Sequence, residues 1–255
     1  MIEENFNVDG KKLMEKISDF NMTKYPVFLT LCDAGSPKVD TLRLSLHGNL
    51  RILETYCPQL GLLSKIFKVH EFLNTDTTIP DDNIIVFTDA YDVACLHYDP
   101  QGLTNDFQAT GKDLIIGAET VFAHHSSEVL PFFLSNYLTR KAKYMNSGFI
   151  MGYKWAYRTM LNYICDNFEK RYRTPNNFND QRVLSKFMLD NSQLKLLNMD
   201  IDHDFKFCYT HTYDNNPLDC EKITSYFIHI TWLALSIQAE AHETMKAFYG
   251  LSSVT

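Results

Sequence analysis

The chain is 255 residues long, 45% hydrophobic and 22% charged: too apolar for a disordered polymer, and long enough for one large domain or two small ones. Its net charge of −7 argues against non-specific nucleic-acid binding, which needs a basic surface; the short clusters at Arg140, Lys141 and Lys143 and at Lys170, Arg171 and Arg173 read as solvated faces. The start, MIEENFNVDGKKL, lacks a basic region followed by an apolar one, and the longest apolar run, Tyr226 to Ile237, is too short to span a bilayer, so the reading is a soluble, cytosolic chain with neither signal peptide nor membrane span.

In chain order, Val27–Cys32 is a short apolar run after Pro26 and predicts a strand. Ser36-Pro37 marks a helix start; Val39, Leu42 and Leu46 then share one helical face and Gly48 can end it. Leu50–Tyr56 alternates like a strand, Leu62, Ile66, Val69 and Leu73 step at helical spacing, and Asn83–Thr88 is the next strand. The first third therefore reads β-α-β-α-β, which predicts a parallel sheet with right-handed crossovers. Leu114–Ala118 and Ser147–Tyr153 predict further strands. Tyr157, Leu161, Ile164 and Phe168 form one helical face, and Val183, Leu184, Phe187 and Met188 another. Tyr226–Ile230 reads as a short strand, and Ala234, Ile237, Ala241, Met245 and Phe248 as a C-terminal helix closed by Gly250. The least periodic stretches, 97–112, 120–145 and 171–180, are expected as loops or lids. The six cysteines include no CxxC pair and read as reduced core thiols.

One stretch carries chemistry. In IIVFTDAYDVACL (84–96) a buried-looking strand ends in Asp89 and Asp92, and apolar residues then resume. Ligands of open α/β sheets bind beyond the carboxyl ends of the strands. Strand side chains alternate, so carboxylates at i and i+3 converge only if the chain turns between them. Converging carboxylates repel unless a cation separates them, and Mg²⁺ or Mn²⁺ does so through oxygen ligands. The bland alternative is a surface turn whose aspartates cap a helix or bind water. Two functions fit: a transferase using a nucleotide diphosphate donor, and a metal-dependent phosphohydrolase with an aspartate nucleophile. The second usually needs carboxylates at i and i+2 on the first strand, so the spacing here favours the transferase.

VFTDAYDV closely resembles the DSYDV signature of the glycosyltransferase domain in collagen lysyl hydroxylases and their stand-alone GT-A relatives. GLLSKIFKVHEFL (61–73), IIGAET (115–120), KYMNSGFIMGY (143–153), NDQRVLSKFML (179–189), LNMDIDHDFKFC (197–208) and SYFIHIT (225–231) are similar to further segments of that family in the same order, spanning roughly residues 25–232. The resemblance implies one GT-A domain over 1–255, with a Rossmann-like, mostly parallel α/β sheet flanked by helices, an N-terminal extension at 1–24 and the C-terminal helix at 232–250.

The resemblance also implies roles. Asp89, Asp92 and His229 would hold Mn²⁺ or Mg²⁺. Tyr91 would lie against the uridine of UDP-glucose or UDP-galactose, where a ring can stack on a base. Thr30 would touch the nucleotide and Lys65 would offset phosphate or sugar-face charge. Asn146, Ser147 and Gly148 would form a sugar-facing turn, and Asp180 with Gln181 would reach the donor sugar or the acceptor, Asp180 as the first candidate to position or deprotonate the acceptor hydroxyl. Asp202 and His203 read as structural. There are departures: the family's acidic run before the glutamine is here NNFND, the second glycine of its NSGG is Phe149, and its HGNG loop is HITW. The expected activity is metal-dependent hexose transfer from a UDP-sugar to an acceptor hydroxyl not identified by the sequence; the alternative is a UDP-sugar-binding protein without transfer activity.

Overall fold

A computed structural model describes residues 25–173, 179–211 and 218–231, together with residue 247. The N-terminal extension, the C-terminal helix apart from residue 247, and residues 174–178 of the stretch 171–180 lie outside the described residues.

The main sheet has six strands: β1 (Val27–Leu31), β2 (Arg51–Leu53), β3 (Ile84–Thr88), β5 (Leu114–Glu119), β6 (Tyr144–Tyr153) and β7 (Met199–Ile201), in the order β2-β1-β3-β6-β5-β7. β1 pairs parallel with β2 and β3, and β5 with β7; only β6 runs against its neighbours. The sheet is thus mostly parallel, and its first three strands pair in parallel, as the β-α-β-α-β reading predicts. A second sheet, unanticipated, joins β4 (Val93–Cys95), β9 (Phe227–Ile230) and β8 (Cys208–His211) in that order.

Alternation along the strands builds two cores. Leu29, Ile85, Phe87, Leu114, Ile116 and Ile150 face one way, against α2 (Ser64–Thr75), α4 (Leu130–Tyr137), α5 (Lys154–Asn167) and α6 (Asp180–Leu194). Phe28, Ile84, Val86, Ile115, Phe149 and Met151 face the other way, against α1 (Asp40–Ser45), α3 (Pro100–Ala109) and the second sheet. The helical residues predicted for α2, α5 and α6 pack where their spacing put them, except Leu62. Leu62 lies in a 3₁₀ turn before α2 and is exposed; Phe168 begins a π-helical turn after α5. Gly48 ends α1 with positive φ, its N–H donating to Arg43 O.

Two of the expected loops contain helices. Within 97–112, Asp99 caps α3 by accepting from Gly102 N at 2.9 Å, with Pro100 at the first turn. Only Leu103 and Phe107 of α3 are buried hydrophobics, too thin a face to show as periodicity. Within 120–145, α4 occupies 130–137. All six cysteines are free, and four are buried. Among the described residues no helix is long and apolar enough to cross a membrane.

Candidate active site

A cleft of about 410 Å³ opens at the tips of β1, β3 and β5, beside the looped part of β6 and the N-terminus of α6. The chain leaves the main sheet at Thr88 and enters the second at Val93, so Asp89 and Asp92 stand at the two ends of a four-residue link between sheets. That change of sheet lets carboxylates at i and i+3 converge. β9 supplies the third group, since Val93 pairs with His229 across the second sheet. Ligand atoms of Asp89, Asp92 and His229 lie within 4.8 Å of one another, and His229 Nε2 is 3.3 Å from Asp92 Oδ2.

The site is charged and mostly buried. Lys65 Nζ lies 2.6 Å from Asp89 Oδ1 and 2.7 Å from Asp180 Oδ2, and donates to Ser147 O at 3.0 Å. Burial opposes the Lys65 charge, but the Asp180 and Asp89 carboxylates outweigh it and hold the ammonium above its ordinary range. Burial raises Asp89; Lys65 and His229 pull against it while Asp92 and Asp180 push the same way. Burial lowers His229, and Asp92 and Asp89 more than restore it. Five carboxylates (Asp33, Asp89, Asp92, Glu119 and Asp180) and one lysine line the cleft among the described residues.

Two carboxylates and an imidazole converging from three directions suit Mn²⁺ or Mg²⁺, and His229 Nδ1 is buried with no hydrogen-bond partner. Gly148 makes room for this histidine. A Cβ there would lie 2.2 Å from His229 Cε1, so the missing side chain leaves room for the imidazole. Gly148 N donates to Asn146 Oδ1, and Gly148 O accepts from Asp89 N.

The remaining sequence-predicted residues divide. Tyr91, Asn146, Ser147, Asp180 and Gln181 line the cleft with Lys65 and the triad. The Tyr91 hydroxyl donates to Asp33 Oδ2 at 2.8 Å, and Lys38 Nζ is 5.7 Å from its ring centroid. Thr30 does not reach the cleft. It is fully buried between strands, and its hydroxyl donates to Thr88 O at 2.7 Å. Asp202 is buried and accepts from the amides of Lys206, Phe207 and Cys208, a structural use of its charge.

The strand register explains the turn at 147–149. Pairing of β5 with β6 jumps from Ile116↔Ile150 to Gly117↔Asn146, so Ser147–Phe149 drops out of that ladder beside the cleft. Glu119, at the end of β5, is a cleft residue that sequence reasoning missed. It is buried and accepts from Gln181 Nε2 at 2.7 Å and Asn146 Nδ2 at 3.1 Å. An apolar strand ending in an acid, the signal that exposed Asp89, is present in LIIGAE too.

A six-stranded mixed α/β sheet flanked by helices, with an acidic cluster at a strand tip, defines a glycosyltransferase fold of GT-A type. It is similar in structure to a glycosyltransferase involved in the glycosylation of the major capsid of PBCV-1 (TM-score 0.53, 11% identity, 87% of this chain and 100% of that one). A looser likeness is to A197 from STIV (TM-score 0.38, 12% identity, 69% of this chain and 81% of that one). The family model for the PLOD GT domain, the glycosyltransferase domain of lysyl hydroxylase type, matches residues 59–216, and the chain belongs to that family. No curated protein matches the sequence.

Proposed function

We propose that the chain is a single GT-A domain that moves a hexose, glucose or galactose, from a UDP-sugar to an acceptor hydroxyl in a metal-dependent reaction. The observation that carries this reading is the convergence of Asp89, Asp92 and His229 within 4.8 Å at the tip of β3. Charge balance supports it. A diphosphate would enter a cleft lined by five carboxylates and one lysine only against strong repulsion, unless a cation came with it.

In this reading Asp89, Asp92 and His229 would hold Mn²⁺ or Mg²⁺, which would supply positive charge against the diphosphate. Tyr91 offers its ring to the uracil, and Asn146 and Ser147 offer amide and hydroxyl groups to the sugar. Lys65 keeps Asp89 and Asp180 in fixed positions. The acceptor oxygen attacks the anomeric carbon as its bond to UDP breaks, and Asp180 takes the acceptor's proton. The Lys65–Asp180 ion pair favours one second reading, UDP-sugar binding without transfer, because Asp180 is already engaged.

Titration calorimetry of UDP with and without Mn²⁺ tests the site. Wild type binds UDP more tightly with Mn²⁺; Asp92→Ala keeps its fold and loses that dependence. Equal Mn²⁺ dependence in the variant would remove the triad from the function. UDP release from UDP-glucose or UDP-galactose separates transferase from silent binder.

A further inference from the structure

Four described residues other than glycine have positive φ: His47, His124, Lys195 and Phe205. Three have local reasons. His47 precedes Gly48 at the end of α1, Lys195 caps the C-terminus of α6, and Phe205 closes a turn onto Asp202 O. His124 (φ 59°) ends no helix, yet it lies in the wall of the cleft.

Its neighbours hold it there. Ala123 O accepts from Gln181 Nε2 at 2.8 Å, and Ala123 N donates to Val121 O. On the other side His125 is buried among rings, 5.0 Å from Phe122 and 5.3 Å from Phe133. A polar clamp before it and an aromatic cage after it over-determine the backbone. Such strain persists where the surroundings enforce it, and it clusters at ligand sites.

The position within the cleft points to a ligand type. From β1 through β3 and β6 to β5 is three strand spacings, about 14 Å. Asp33 and Tyr91 wall the β1 end, the metal-ligand triad stands at the β3 tip, and Glu119 with His124 wall the β5 end. Gln181 bonds both Glu119 and the Ala123 carbonyl next to His124, and Asn146, Ser147 and Asn179 line the same cleft. Amides, a hydroxyl, an imidazole and a carboxylate are partners for sugar hydroxyls, not for phosphate.

We propose that His124 is a sugar-binding residue: its imidazole hydrogen-bonds a hydroxyl of the donor's hexose. This rests on the nucleotide-sugar reading above and adds a residue that separates sugar nucleotide from bare nucleotide.

The test is calorimetry on the full chain with Mn²⁺, using UDP, UDP-glucose and UDP-galactose against wild type, His124→Gly and His124→Asn. Glycine takes positive φ without a Cβ clash, so His124→Gly removes the imidazole without straining the fold, and its melting temperature stays at or above that of wild type. The expected result is a roughly tenfold weaker Kd for at least one UDP-hexose in His124→Gly, with the UDP Kd within about twofold of wild type. His124→Asn, which tolerates the same backbone and keeps a polar group, falls between. Unchanged binding of both UDP-hexoses in His124→Gly overturns the proposal, as does equal weakening of UDP and UDP-hexose. If wild type binds neither UDP nor UDP-hexose, the nucleotide-sugar reading fails and takes this inference with it.

Discussion

Two buried lysines sit in two kinds of site. Lys154, at the start of α5, donates to the carbonyls of Asp76 at 2.6 Å and Ile79 at 2.8 Å. The Asp76 carboxylate accepts from the amides of Thr78 and Ile79 and from Arg51. Charge there is spread over backbone partners. Lys65 faces the opposite situation. It holds two carboxylates, Asp89 and Asp180, in a cleft with three more, and one lysine cannot balance them. The first cluster is complete without a ligand. The second is an ionic site short of positive charge, which is what distinguishes a binding site from a structural brace.

The comparison breaks first at the lysines. Lys65→Met leaves the buried Asp180 and the partly exposed Asp89 without their shared counter-charge, and the expected loss is about 3 kcal/mol of unfolding free energy in metal-free buffer. Mn²⁺ should recover part of it by supplying charge at Asp89. Lys154→Met leaves two carbonyls unpaired, a loss of about 1–3 kcal/mol that Mn²⁺ does not touch. Denaturant unfolding with and without Mn²⁺ measures both. An equal Mn²⁺ response in the two variants would erase the distinction.

A smaller effect sharpens the metal site alone. Gly148→Ala puts a Cβ where the His229 ring lies, so the imidazole must rotate or shift. The expected outcome is Mn²⁺ affinity reduced by about tenfold or more, read by calorimetry or by the electron paramagnetic resonance of free Mn²⁺, with circular dichroism unchanged. Unaltered affinity would mean that His229 is not a ligand.

How much of this was legible follows from which signals are local. The Ile84–Thr88 strand and its two acids form one contiguous pattern, and their place at a strand tip could be read directly. The helices α2, α5 and α6 showed because three or more apolar residues repeat on one face. The short α3 did not, having only Leu103 and Phe107 to bury. Of the second sheet only β9 was legible, as the Tyr226–Ile230 strand; β4 and β8 are three and four residues long and pair with it from distant segments. Thr30 was misplaced because a position near a strand's end does not say which way the side chain points; its hydroxyl points to Thr88. Glu119 was passed over because its partners Asn146 and Gln181 lie far off in the chain and only the fold joins them. For Gly148 the sequence could not show its use for the imidazole, because the clash it avoids is with His229 on β9, 81 residues away.

The smallest expected effect belongs to the complete cluster, where pH distinguishes brace from site. Burial pushes the Asp76 carboxyl up, but hydrogen bonds from Thr78 and Ile79 and the Arg51 charge outweigh it and hold it below the ordinary carboxylate range. A depressed carboxyl contributes stability that is fully present above its unfolded value, about 3.9, and is lost as pH falls through the folded value. Wild type should therefore lose part of its stability below about pH 4. Asp76→Asn, which keeps the shape but not the charge, should start about 1 kcal/mol less stable at neutral pH and lose less over the same acid window. Unfolding midpoints at pH 7 and across that window give both quantities. Identical acid slopes in the two proteins would show that Asp76 titrates alike folded and unfolded, and that the brace holds by geometry rather than by charge.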